Sequence, residues 1–96
     1  MHLNSQKHAS ERRGLDAMAE FILVELELGR TFCDLAKNYN NEEKSRRALG
    51  RAWEALESAE KYMRKLQPEH SEFDEMTSKA ESLRVELEAF TRPTGG

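Results

Sequence analysis

Residues 15–39 carry more apolar surface than one neighbouring helix can cover, and this stretch sets the terms for the rest of the chain. At about 100° per residue, Phe21, Val24, Leu28, Phe32, Leu35 and Tyr39 form one helical stripe, and Leu15, Met18, Ile22, Leu26, Gly29, Cys33 and Ala36 form a second beside it. Together the stripes span roughly 200°, about twice the arc by which a surface helix meets one partner. The pattern predicts a central helix with one neighbour on each stripe. Asp16, Glu20, Glu27, Arg30, Asp34 and Lys37 fall on the opposite, solvated side.

Two residues interrupt the apolar arc. Glu25 projects between the stripes, where a carboxylate is costly to bury without a partner, so it pairs with a basic residue or faces an uncovered groove. Gly29 weakens the helix by about 1 kcal/mol relative to Ala, which a close backbone crossing would explain.

The second helix is predicted over 42–66, after a short turn at Asn38, Tyr39, Asn40 and Asn41, with Asn40 and Glu43 spaced as a capping box. Its seam is Ala48, Ala52, Ala55, Ala59, Tyr62, Met63 and Leu66, widened by Leu49 and Leu56; four alanines imply close packing. The third helix, 68–90, opens at Pro68 with Glu69, Glu72 and Asp74 near its positive end. Phe73, Met76, Ala80, Leu83, Leu87 and Phe90 give it a narrow seam of the coiled-coil kind. The first helix is expected over 11–38 with Ser10 as N-cap, and segments 1–10 and 91–96 read as flexible tails. The predicted fold is all-α, an antiparallel up-down-up three-helix bundle in a single domain over 11–90.

Composition narrows the function classes. With 96 residues, 34% of them charged and 38% hydrophobic, the chain suits a soluble helical bundle that folds alone. Its formal charge of −3 provides no net attraction to nucleic acid or an anionic membrane, so neither is expected as a partner. The single Cys33 lies on the apolar face and excludes a disulfide framework within one chain. With no signal-like apolar run at the start, the reading is cytoplasmic.

No arrangement of residues points to catalysis: the sequence has no glycine-rich phosphate loop, no helical His pair and no Glu-x-x-His of the di-iron kind. No cofactor or metal is expected. The best anion-binding candidates are Arg46, Arg47 and Arg51 with Lys44, near the start of the second helix, though Glu42 and Glu43 stand four residues before the first two. Trp53, at the edge of the alanine seam, serves as a lid on the core or as an anchor for a partner. Leu23 and Val85 point away from the main stripes and suggest a self-associating face.

Leu28-Gly29-x-x-Phe32, followed by Ala48-x-x-x-Ala52-x-x-Ala55, resembles the small-and-aromatic signature of a tetratricopeptide-repeat hairpin. The resemblance covers the middle third of the chain and implies closely crossing helices that present a docking groove. The interval from Gly29 to Ala48 is longer than in that family by about two turns, and there is one such unit. A long hairpin with a third helix also resembles the microtubule-interacting-and-trafficking type of three-helix module. The expected function is a non-enzymatic protein-interaction or scaffold module that docks another protein or itself through Glu25, Trp53, Leu23 and Val85. The alternative is a small regulator binding an anionic ligand through Arg46, Arg47 and Arg51.

Overall fold

Three helices follow one another in the chain, α1 (His2–Asn38), α2 (Glu42–Met63) and α3 (Phe73–Thr91). The computed structural model describes the backbone of residues 2–66 and 69–91 and the side chains of 16–66 and 69–90. Among the described residues the fold is an all-α three-helix bundle, and no helix there is long and apolar enough to cross a membrane.

The helix boundaries differ from the sequence reading at three points. α1 reaches back to His2, so Ser10 is an interior position of the helix. The turn into α2 is capped by Asn41 rather than Asn40: its backbone is extended and its side chain accepts from the Lys44 N–H at 3.0 Å. α2 ends at Met63 and α3 begins at Phe73, both inside the expected limits, while Leu66 lies in the intervening turn and is still buried. The predicted start at Pro68 and positions 92–96 of the expected tail lie outside the described residues.

Contacts between α1 and α2 climb one helix as they descend the other: Phe21 meets Tyr62, Phe32 meets Arg51, and the Ser45 hydroxyl donates to the Ala36 carbonyl. Between α1 and α3 they climb together, from Asp16 with His70, just ahead of α3, through Glu27 with Lys79 to Lys37 with Glu86. The core forms where the three seams meet, with Ile22, Leu26 and Cys33 against Ala52, Leu56 and Ala59, and Met76, Ala80, Leu83 and Leu87 closing it.

One stripe of α1 is buried where two were expected to be. Ile22, Leu26, Gly29, Cys33 and Ala36 are covered, joined by Ala19. Phe21, Val24, Leu28, Leu35 and Tyr39 remain 38% to 57% exposed, and Phe32 is half-buried. The reason is geometric. When three helices touch one another at 8–10 Å, the two neighbours of any helix lie only roughly 60° apart as seen from it, so they share one stripe.

Gly29 sits where α1 comes nearest its neighbours: a Cβ there would lie 2.7 Å from Leu83 Cδ2 and 3.4 Å from both the Ala52 carbonyl oxygen and Ala55 Cβ. Gly50, in the exposed middle of α2, would have nothing within 4 Å of an added Cβ. Opposite outcomes follow for the two glycines. Gly29→Leu should lower unfolding free energy by about 2 kcal/mol or more through overpacking, and Gly50→Ala should raise it by about 0.5–1 kcal/mol through helix propensity, both read by urea denaturation.

Candidate partner-binding surface

The two flanks of α3 are laced to the rest of the bundle by charge. Lys79 reaches Glu27 of α1 at 3.2 Å, and Arg30 and Lys37 both reach Glu86. On the other flank, Arg84 donates to both Glu60 carboxylate oxygens, at 2.5 and 3.3 Å, and its guanidinium lies 5.7 Å from the Trp53 ring centroid. Hydrogen bonding to Glu60 raises the Arg84 pKa, and hydrogen bonding to Glu27 and then Glu75 raises that of Lys79. These groups are largely solvated, so the pairs set register more than they add stability.

The side of the α1/α2 hairpin away from α3 is different. Among the described residues no ion pair crosses between α1 and α2, and the surface between them sets aromatic and aliphatic side chains among charged ones. Phe21 packs edge-on against Tyr62 with ring centroids 5.1 Å apart, and Arg51 stacks over Phe32 at 5.9 Å. Two shallow clefts of about 290 and 280 Å³ share Phe32 and Arg51. One also takes in Glu25, Leu28, Glu54 and Ser58; the other takes in Tyr39, Lys44 and Arg47. The exposed stripe of α1 forms one wall of this face throughout.

The residues singled out from sequence do not converge. Glu25 is half-buried in the first cleft, with no hydrogen bond or ion pair among the described residues. Trp53 is half-buried against the core on the α2/α3 side, under Arg84. Leu23, expected to point away from the main stripes, is partly buried and packs on the core; Val85 is 65% exposed on α3. Of the three arginines, Arg46 pairs with Glu42 at 3.5 Å and lies apart from the cleft that holds Arg47 and Arg51, and Arg47 pairs with Glu43 at 2.9 Å.

The surface residues that sequence reasoning misplaced are Phe21, Val24, Leu28, Leu35 and Tyr39 of α1, which it assigned to the core, and Phe90 at the end of the α3 seam. The signal was present in the width of the apolar arc, which exceeded what a triangle of helices can cover. Compared with known proteins, the chain matches no protein-family model, no curated protein and no solved structure.

Two expected outcomes test these placements. Because burial removes the Cys33 thiol from water and raises its pKa, alkylation of the native protein should be slowed at least about tenfold relative to the urea-unfolded chain, measured by mass spectrometry. Trp53→Ala should cost about 2 kcal/mol in urea unfolding, the loss expected of a half-buried ring on the core; an unchanged midpoint would remove the lid role.

Proposed function

We infer that this protein is a non-enzymatic interaction module that docks a protein through the open α1/α2 face. The observation that carries the reading is the exposed stripe of Phe21, Val24, Leu28, Leu35 and Tyr39, five large apolar side chains aligned on one helix. Scattered surface apolars are ordinary, whereas a continuous row with aromatic ends has the character of a contact surface. Phe21, Tyr39 and the stacked Phe32/Arg51 pair supply the residue types that dominate such contacts.

A docking role is favoured over acid/base chemistry by the surroundings of Glu25. A catalytic carboxylate works with a positioned partner that holds or tunes it, and Glu25 has no such hydrogen bond among the described residues. The tetratricopeptide-like resemblance of Leu28, Gly29, Phe32 and the α2 alanines is in keeping with a docking role. We place the protein in the cytoplasm, a reading supported by the single cysteine held as a buried thiol.

Photo-crosslinking tests this directly. With a benzophenone amino acid at position 28, cells producing the protein should yield a discrete adduct on irradiation. The same group at position 85, which carries an isolated exposed apolar side chain, should yield none. Equal labelling at both positions, or none at position 28, would overturn the docking role.

A further inference from the structure

The open face has a property that a generic docking surface lacks: it matches itself when turned end for end. The stripe runs from Phe21 to Tyr39, and its midpoint is the level of residue 30. Reversal about that level exchanges Phe21 with Tyr39 and Leu28 with Phe32, carries Val24 to position 36, next to Leu35, and carries Leu35 to the level of Glu25, next to Val24. Contacts between identical copies across a two-fold axis require this kind of self-matching surface.

Charge on the same face divides in the same way. Lys44 and Arg47, the latter paired with Glu43, lie toward Tyr39, Glu25 and Glu54 lie toward Leu28, and Arg51 stands between them, lining both clefts with Phe32. Neither carboxylate has an ion pair among the described residues, and Arg51 makes only its stacking contact with Phe32. On α2, Arg51 and Glu54 straddle the level at which Gly29 meets Ala52 and Ala55, close to the stripe's midpoint.

We propose that the occupant of this face is a second copy of the chain, laid antiparallel about a two-fold axis near the level of residue 30. In that arrangement Arg51 of one copy faces Glu54 of the other twice over, because the two residues straddle the axis on α2. The face is about 27 Å long over the 18 steps of the stripe and roughly 20 Å wide across two helices. Its footprint of roughly 540 Å² per partner is that of a weak, reversible pair, below roughly 1,200 Å² in total. The proposal rests on the docking role inferred above and names its partner.

Light scattering of the full chain across roughly 1 to 500 µM, a range spanning micromolar affinity, should show the mass rising from 11.1 kDa toward twice that value. Leu28→Asp should abolish the rise while leaving far-UV circular dichroism unchanged. Arg51→Glu and Glu54→Arg should each weaken association by about tenfold, and the double variant, with the charges exchanged, should recover to within about threefold of the parent. A single-chain mass throughout, or a double variant no better than the singles, would overturn the proposal. In that event an adduct at position 28 with a different protein leaves the docking role standing, and the absence of any adduct removes both.

Discussion

Everything in this structure depends on how closely α1 approaches α2. The alanines at positions 48, 52, 55 and 59 remove the side-chain bulk that would hold the two helices apart, and Gly29 leaves the room on α1 that Leu83 of α3 fills. The alanine side chains are small, so this seam contributes little apolar area of its own. Its effect is positional, because a narrow α1/α2 gap lets the larger Ile22, Leu56, Met76, Leu83 and Leu87 meet on a common axis, where each contributes about 1.5–3 kcal/mol of burial.

The same closeness decides which surface stays open. α3 sits on one side of the hairpin, where Lys79, Lys37, Arg30 and Arg84 bridge it to acidic residues of α1 and α2. Exposed pairs of this kind are individually weak, yet as a set they favour one side and one register over the alternatives. The opposite side keeps its aromatic edges and two clefts. A fourth helical layer there would meet the exposed α1 stripe without breaking an ion pair between α1 and α2 among the described residues.

Much of this was legible in the chain itself, and the errors have a common origin. The 3-4 spacing of Met76, Ala80, Leu83 and Leu87 and the alanine row of α2 are local patterns, and local periodicity specifies which side of a helix turns inward. The pairing of Glu42 with Arg46 and of Glu43 with Arg47 was equally visible, since residues four apart on a helix are neighbours in any fold. Glu25 was marked as unusual, but whether it lay under a partner or in a cleft depended on residues far away in sequence.

The sequence by itself determined that there are three helices and which stripe of α2 and of α3 is apolar. Only the tertiary structure decided which of the two stripes of α1 is buried and which is left as a surface. Hydrophobic spacing reports affinity for any apolar neighbour, and both stripes satisfy it equally. The choice between them arises from three-body packing, in which two neighbours converge on Ile22 and Cys33 and leave Val24 and Leu28 exposed.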